Sequence, residues 1–255
     1  MRVNTLKQRL LDDEPCRGVW LSMPSVSSAR LLARLPADWF VVDAEHGPMG
    51  AETMTAIVGV LADAGRAPVV RVAHGGVENI KRALDAGAWG IIAPMVSSRA
   101  DAEAVISAAK FPPHGQRSFG SAWAGLALDM SMPEYRRRAN EETLAFVQVE
   151  NADALDDLDG IMSVPGVDGV FVGPVDLAIS LGVEPDIDNP HPVVREALDE
   201  ILRMASMYRL PAGIYCSDAE GAAARIREGF LLVNVASDVG ALLQGVRAQL
   251  EWTPA

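Results

Sequence analysis

The sequence predicts a (β/α)8 barrel that forms a single domain over residues 1–255. Two observations support this prediction: eight short apolar runs alternate with helical stretches, and 255 residues is a usual length for one such barrel. The apolar runs are rich in valine and isoleucine, which is typical of strands buried on both faces of a parallel sheet. No Gly/Ser linker or low-complexity segment divides the chain.

The predicted strands follow a regular rhythm along the chain. Each is a short apolar run that is followed by a turn and then by a helical stretch. In order they are Gly18–Ser22, Trp39–Asp43, Pro68–Val72, Trp89–Ala93, Leu144–Glu150, Gly169–Val172, Pro211–Tyr215 and Leu231–Val235.

The predicted helices carry apolar residues at helical spacing. Gly65 and Gly87 directly follow two of them, and glycine commonly ends a helix because it adopts left-handed backbone conformations. The first segment, Met1–Pro15, is predicted to be an amphipathic helix and not a signal peptide. Four helices between strands are predicted at Glu52–Ala64, Asn79–Ala86, Ala100–Lys110 and His191–Tyr208.

One connection between predicted strands is long. It runs from Phe111 to Asn140, between the fourth and the fifth strand. Connections of this length inside a domain usually hold an extra helix or serve a function. In this interpretation the connection leaves the C-terminal end of a strand, so it is predicted to be able to cover the active-site face of the barrel.

The composition excludes two classes of partner. A formal net charge of −12 repels phosphate backbones, so no nucleic-acid partner is expected. No apolar run has the length of a membrane span, so no membrane partner is expected. The two cysteines lack CxxC spacing, which predicts reduced thiols and a cytoplasmic protein. Cys216 falls at a predicted strand end, and we interpret it as a packed free thiol.

Charged and polar side chains follow several of the predicted strands. In a barrel of parallel strands the C-terminal ends share one face, and active sites are built there. We therefore expect these side chains to lie around one cavity. They are Glu45, His46, Arg71, Glu150 and Asp176.

The pair Glu150 and Asp176 predicts a metal site. Two carboxylates from adjacent strands can bind one divalent cation and leave several coordination positions open. Oxygen ligands favour hard ions such as Mg²⁺ or Mn²⁺. The alternative for each carboxylate is a helix cap or an ion pair with an arginine, and Asp176 in particular has the position of an N-cap.

His46 is the predicted proton shuttle, because an imidazole exchanges protons near pH 7. It needs a carboxylate to orient it, and Asp85, just before the fourth strand, is our candidate. The alternative is a structural histidine with no role in catalysis.

Arg71 ends the third strand and is predicted to bind a substrate carboxylate or a developing enolate oxygen. The alternative is a buried salt bridge with Asp43 or Glu45. The three lysines all fall in predicted helices, so a Schiff-base mechanism is not expected. Carbanion stabilisation would then depend on a metal ion and Arg71.

Several motifs in one order resemble the HpcH/HpaI aldolase family, the metal-dependent pyruvate aldolases. The resemblance extends over most of the chain and is specific to this superfamily. The motifs are Gly18-Val19-Trp20, Asp43-Ala44-Glu45-His46-Gly47-Pro48, Arg71-Val72, Pro94-Met95-Val96, Lys110-Phe111-Pro112-Pro113, Gly115-Gln116-Arg117, Gln148-Val149-Glu150, Gly166-Val167-Asp168 and Gly173-Pro174-Val175-Asp176-Leu177.

The resemblance implies a set of roles for matching positions. Glu150 and Asp176 would chelate Mg²⁺, Mn²⁺ or Co²⁺, to which pyruvate binds. Arg71 would contact the enolate oxygen, and His46, paired with Asp85, would move protons through water. Gln148 would lie near the substrate, and backbone amides of Gly173, Pro174 and Val175 would hold its carboxylate. Relatives more often have alanine and serine where this chain has Val175 and Ala178.

The resemblance also implies a homo-oligomer, typically a hexamer arranged as a trimer of dimers, whose last helix is exchanged between subunits. The implied reaction is the reversible cleavage of a 4-hydroxy-2-oxo acid to pyruvate and an aldehyde. One alternative is an acyl-CoA lyase or hydrolase of the citrate-lyase-β and malyl-CoA type, against which the net charge of −12 argues. A second alternative is a barrel that binds oxo acids without turnover.

Overall fold

A computed structural model describes residues 3–252 of the chain. Eight parallel strands pair in chain order, and the last pairs with the first to close a barrel, which confirms the predicted (β/α)8 architecture. Met1 and Arg2, at the start of the predicted first helix, and residues 253–255, at the end of the predicted domain, lie outside the described residues. The strands are β1 (Cys16–Leu21), β2 (Trp39–Asp43), β3 (Ala67–Arg71), β4 (Gly90–Ala93), β5 (Leu144–Val149), β6 (Gly169–Val172), β7 (Ala212–Ile214) and β8 (Leu232–Ser237).

The helices between strands agree with the predicted ones to within one or two residues. The first helix is shorter than predicted, because the Asn4 side chain caps it by accepting the Lys7 N–H at 3.2 Å. No helix in the described range is long and apolar enough to cross a bilayer. The helices are α1 (Thr5–Leu11), α2 (Val26–Leu32), α3 (Ala51–Asp63), α4 (Val77–Asp85), α5 (Arg99–Ala109), α6 (Ala122–Ala127), α7 (Met132–Glu142), α8 (Ala152–Asp156), α9 (Leu158–Met162), α10 (Pro174–Ser180), α11 (Pro192–Tyr208), α12 (Ala219–Glu228) and α13 (Asp238–Trp252).

Alternate residues of each strand face opposite sides of the barrel wall. On β2, Phe40 and Val42 pack against the helices that surround the barrel, whereas Trp39 and Val41 pack with the inward-facing strand residues and with α1, α6 and α7. The neighbouring strand makes room for the large indole of Trp39: a Cβ at Gly18 would lie 2.3 Å from it. The interior is therefore filled with side chains, and a cavity can open only at the strand ends.

The long connection after α5 does not cover the active-site face, so that prediction is wrong. The segment follows a helix that runs antiparallel to the strands, and it therefore starts at the N-terminal end of the barrel. There the Trp89 indole N–H donates to the Ala127 carbonyl at 3.2 Å, and Lys110 Nζ donates to the Thr143 carbonyl at 2.8 Å. The connection holds two extra helices, α6 and α7, as the alternative in our prediction allowed.

Candidate active site

A cavity of about 540 Å³ opens at the C-terminal ends of the strands. Alternate residues of each strand point into the barrel, and those in the middle of the strands fill its interior. The last inward-pointing residues, at the C-terminal ends of the strands, therefore surround the mouth of the barrel. The structure brings most of the predicted site residues together here. Those that line the cavity are His46, Arg71, Gln148, Gly173, Pro174, Val175 and Asp176.

Glu150 lies directly after β5, its side chain is buried, and it contacts Gln148 and Gly173, which line the cavity. Its Oε1 accepts the Met95 N–H at 2.7 Å, and its Oε2 accepts a hydrogen bond from the Gln148 side-chain amide. Burial raises the pKa of Glu150, and the negative charge of Asp176 acts in the same direction, while the two hydrogen bonds and Arg71 oppose the rise. A nearby cation would relieve this repulsion between the two carboxylates.

Asp176 lies in the first turn of α10 and does not cap that helix. Gly173 occupies the N-cap position, and no side chain caps the helix there. The alternative of a capping role for Asp176 is therefore excluded, and its carboxylate lines the cavity instead.

The donor set around Glu150 fits a hard divalent cation. Gln148 Oε1 is buried and, within the described structure, accepts no hydrogen bond, so a further acceptor oxygen is available beside the two carboxylates. Residues 3–252 contain no group of three or more His, Cys, Asp or Glu side chains that could hold a metal ion. A cation held by two carboxylates would take its remaining ligands from water or substrate, as Mg²⁺ commonly does.

Close packing holds Glu150 in place. A Cβ at Gly173 would lie 2.5 Å from Glu150 Oε2 and 3.1 Å from Gln148 Nε2. Only glycine therefore fits at the end of β6 without displacing the carboxylate.

Arg71 forms a buried salt bridge with Asp43, which was the alternative interpretation of this residue, and it also lines the cavity. Its Nε donates to Asp43 Oδ1 at 2.9 Å and its Nη2 to Asp43 Oδ2 at 2.6 Å, which makes a bidentate pair. The two residues are direct cross-strand neighbours on β2 and β3. The guanidinium carbon also lies 4.8 Å from the ring centroid of Trp20. Arg71 is thus held rigidly at the mouth.

Asp43 is the anchor of this arrangement. Burial alone would raise its pKa, but hydrogen bonds from Arg71, the Arg71 charge, the Trp20 indole N–H and the His46 backbone N–H together lower the pKa of Asp43. The carboxylate is therefore ionised at neutral pH and balances the charge of Arg71.

His46 lines the cavity from the loop after β2, and its side chain is 68% exposed. The carboxylate nearest to its ring is Glu45, whose Oε2 lies 3.9 Å from His46 Nε2 and 3.2 Å from Arg71 Nη1. Burial raises the pKa of Glu45, and the charges of Arg71 and His46 oppose that rise.

Asp85 and His46 of the same chain are not in contact, so the expected pair of these two side chains is not formed within one chain. The residue ends α4, which places it at the N-terminal end of the barrel, away from the mouth. Its Oδ1 accepts a hydrogen bond from Arg117 Nη2 at 2.9 Å, and it lines a separate cavity with Ser121 and Trp123. Glu45 is the carboxylate that this chain itself places beside the imidazole.

Fewer backbone amide groups are available to bind the substrate carboxylate than the sequence analysis predicted. The Gly173 N–H donates to the Val149 carbonyl at 3.3 Å, and proline has no N–H. Of the three predicted residues, Val175 is the one whose amide lies in the open first turn of α10.

The three lysines lie away from the cavity, although Lys110 directly follows α5 and is not part of the helix predicted for it. Lys7 and Lys110 both pair with Asp168, at 2.7 and 2.8 Å, and Lys81 lies on α4, so none of the three lines the cavity. Cys16 and Cys216 are free and buried, and burial raises the pKa of each thiol to about 12. The structure therefore supports the prediction that Cys216 is a packed thiol.

Six further residues that line the cavity were not predicted as site residues. Each lies at or just beyond the end of β1, β2, β7 or β8, where the period of two along a strand could have identified most of them. They are Trp20, Ser22, Asp43, Tyr215, Ser237 and Val239.

Comparisons with known proteins place this site in a family. The family model described as HpcH/HpaI aldolase/citrate lyase matches residues 17–245. The chain is 37% identical over 246 residues to a hydroxypyruvate/pyruvate aldolase of Pseudomonas aeruginosa, an alignment that covers 96% of this chain and 91% of that protein. It is 34% identical over 246 residues to a 4-hydroxy-2-oxo-heptane-1,7-dioate aldolase of Klebsiella pneumoniae, with coverages of 96% and 92%.

A solved structure agrees with these sequence matches. The crystal structure of an HpcH/HpaI aldolase/citrate lyase family protein from Burkholderia cenocepacia has a TM-score of 0.89 and 36% identity, and the match covers 97% of this chain and 98% of that one. From its sequence and its fold, the chain belongs to the HpcH/HpaI aldolase/citrate lyase family.

Proposed function

We propose that this protein is a metal-dependent aldolase that reversibly cleaves 4-hydroxy-2-oxo acids to pyruvate and an aldehyde. The observation that carries the proposal is the buried carboxylate of Glu150, which interacts electrostatically with Asp176 and Arg71 and lies beside the cavity that these two residues line. Relatives named as pyruvate or hydroxy-oxo-acid aldolases support this reaction class. The enzyme is thus a carbon–carbon lyase.

Glu150 and Asp176 would hold the divalent cation, which we propose to be Mg²⁺, Mn²⁺ or Co²⁺. A cation there supplies Lewis-acid stabilisation of the negative charge that develops on the oxo acid. Gln148 lies next to Glu150 and orients its carboxylate through the amide hydrogen bond. The Val175 amide would help to bind the substrate carboxylate at the start of α10.

The chain's own residues move the proton and stabilise charge. His46 takes the proton from the 4-hydroxyl group while the bond between C3 and C4 breaks. The bonding electrons pass to the pyruvate half as an enolate, and the other half leaves as an aldehyde. Arg71, fixed by Asp43, stabilises the enolate oxygen with its guanidinium group. The enolate then takes a proton at C3 to give pyruvate.

Release of pyruvate, measured with and without a chelator, tests this proposal. We expect wild-type protein to release pyruvate from 4-hydroxy-2-oxo acids, to lose that activity in EDTA, and to regain it with added Mg²⁺, Mn²⁺ or Co²⁺. His46→Ala should retain the metal but lose cleavage. Turnover that persists after complete removal of metal would contradict the metal-dependent mechanism, and binding without turnover would favour a non-catalytic barrel.

We also propose that α13 mediates assembly into a homo-oligomer, in line with the hexamer implied by the resemblance. An apolar helix face in contact with water is unfavourable and marks an interface. The exposed apolar residues of α13 are Val239, Leu242, Leu243, Val246, Leu250 and Trp252.

Light scattering after size exclusion should give about six times the 27.1 kDa chain mass. A double substitution of Leu243 and Leu250 by glutamate should lower that mass, because charge at the apolar face opposes its burial. Leu31→Glu is the matched control, since Leu31 is an exposed leucine on α2. A wild-type protein that elutes as a monomer would contradict this assembly.

An acyl-CoA substrate is disfavoured by charge. The chain has a net charge of −12, and Arg71 is the one permanent cation among the described residues that line the cavity.

Both cysteines are free and buried, so we propose a reducing compartment, the cytoplasm, as the place where the protein works. Cell fractionation would test that location.

A further inference from the structure

One sector of the barrel mouth has no role in the proposed cleavage. The residues assigned so far follow β2, β3, β5 and β6. In the closed barrel β7, β8 and β1 are consecutive neighbours, so their ends form one continuous arc of the mouth. Tyr215, Ser237 and Trp20 line the cavity from this arc. With pyruvate placed at Glu150, Asp176 and Arg71 and the 4-hydroxyl at His46, the arc is the part of the cavity lining that remains for the rest of the aldehyde half.

The side chains of the arc are fixed by contacts with one another. The rings of Trp20 and Tyr215 are 5.2 Å apart between centroids and nearly perpendicular, at 89°. Strand register places Ser237 beside Trp20. The Ser237 hydroxyl lies close enough to the Tyr215 phenol to lower its pKa, and Ser237 Oγ accepts the Gly240 N–H at 3.0 Å. The two hydroxyl groups are thus held next to each other at the cavity wall.

The Tyr215 phenol keeps its proton at neutral pH. Burial raises the pKa of Tyr215, and the negative charge of Asp43 adds to the rise, while Arg71 and Ser237 oppose it. A protonated phenol can donate one hydrogen bond and accept another.

The arc offers no positive charge to an acidic aldehyde. Its one buried charge is Asp238, whose Oδ1 accepts the backbone N–H groups of Ser22 and Val239 at 2.9 and 2.8 Å, and whose Oδ2 accepts that of Met23 at 3.0 Å. The cations among the cavity residues are Arg71, which is paired with Asp43, and His46 when protonated. A second carboxylate on the substrate would therefore lose water without gaining a partner.

We propose that Tyr215, together with Ser237, binds the aldehyde half of the substrate and selects small neutral aldehydes that carry a hydroxyl group. The inference rests on the proposed aldolase function and adds a substrate class to it. An apolar aldehyde offers no hydrogen-bonding group to the hydroxyl groups of Tyr215 and Ser237. The carboxylate of an acidic aldehyde would find no cation in the arc. Sites built to hydrogen-bond a hydroxyl group discriminate strongly against analogues without it.

Addition of pyruvate to three aldehydes tests the proposal. Glycolaldehyde and propanal have nearly the same size and differ by a hydroxyl group in place of a methyl group. Succinic semialdehyde carries the terminal carboxylate that cleavage of a heptanedioate would leave. We expect kcat/KM for glycolaldehyde to exceed each of the other two at least about tenfold. Equal or higher values for propanal or succinic semialdehyde would overturn the proposal.

Variants assign the preference to the phenol. Tyr215→Phe should lower the glycolaldehyde-to-propanal ratio of kcat/KM by about tenfold, which is the worth of one hydrogen bond that the site is built to make. Tyr208→Phe is the matched control, because it removes a phenol hydroxyl that contacts Asp159 outside the cavity. A ratio that stays at the wild-type value in Tyr215→Phe would remove Tyr215 from this role.

A separate measurement distinguishes failure of this inference from failure of the proposed function. Wild-type protein with Mn²⁺ should exchange the methyl protons of pyruvate for deuterium in D2O, which requires the enolate but no aldehyde. Exchange together with an unaltered ratio in Tyr215→Phe would reject the selectivity and keep the aldolase. Lack of exchange and of aldol addition would reject both.

Discussion

Replacement of Glu150 by glutamine is expected to lower the rate of pyruvate release at least about a thousandfold, which corresponds to roughly 4 kcal/mol of barrier. Glu150 is buried beside the cavity, and the negative charge of Asp176 raises its pKa. The amide has nearly the same shape but removes the negative charge that would attract a divalent cation. Titration with Mn²⁺ should therefore show a much weaker affinity in the variant, independently of any activity assay.

Glu200→Gln is the matched control for the Glu150 variant. Glu200 lies on α11, where its Oε1 pairs with Arg203 at 2.6 Å on the surface. Both the Mn²⁺ affinity and the rate of this control should equal those of the wild type. If Glu150→Gln binds Mn²⁺ as tightly as the wild type does, Glu150 is not a ligand.

Gly173→Ala tests the same site without removing a carboxylate. The added Cβ would lie 2.5 Å from Glu150 Oε2, so the carboxylate must move. We expect weaker Mn²⁺ binding and slower turnover, while Gly59→Ala on α3, where the added Cβ meets no neighbour within 4 Å, should change neither.

The fold was predictable because the strands are continuous apolar runs. Buried parallel strands need apolar residues on both faces, and the helices between them carry the spacing of 3.6 residues. The error about the long connection has a simple cause. Lys110 and Phe111 follow the end of α5, and an antiparallel helix returns the chain to the N-terminal end of the barrel. Counting one helix after β4 would have placed the connection there.

The site was predicted in part because strand ends are visible in the sequence. Arg71 and Glu150 were assigned to the site in this way, whereas Asp43 was considered only as a possible salt-bridge partner of Arg71 and Trp20 was assigned no role. Both continue the inward series of their strands, Trp39, Val41 and Asp43 on β2 and Gly18 and Trp20 on β1. Tyr215 likewise continues the series of Gly213. The period of two, applied to each strand, would have identified all three.

The position of Asp85 could not be read from local patterns. Its carboxylate pairs with Arg117, which lies 32 residues further along the chain. The Arg117 guanidinium also stacks over Phe111, with 4.6 Å between its carbon and the ring centroid. Such long-range pairs depend on tertiary packing, which leaves no periodic trace in the sequence.

Arg71→Lys is expected to lower kcat about a hundredfold while KM changes by less than about tenfold. The guanidinium of Arg71 makes two parallel bonds to Asp43 and rests over Trp20, so its position is fixed before substrate binds. A lysine keeps the positive charge but can form neither the bidentate pair nor the planar stack. The positive charge would remain near the enolate but would have no fixed position, so the substitution should mainly slow the chemical step.

Arg82→Lys is the matched control for this substitution, because Arg82 is exposed on α4 and pairs with Glu78 four residues earlier. Its kcat and KM should equal those of the wild type. Steady-state kinetics with one 4-hydroxy-2-oxo acid separate the possible roles of Arg71. A large rise in KM with unchanged kcat would mean that Arg71 binds the ground state of the substrate as tightly as the transition state. A fall in kcat alone places the guanidinium on the developing enolate, because only an interaction made in the transition state has that effect.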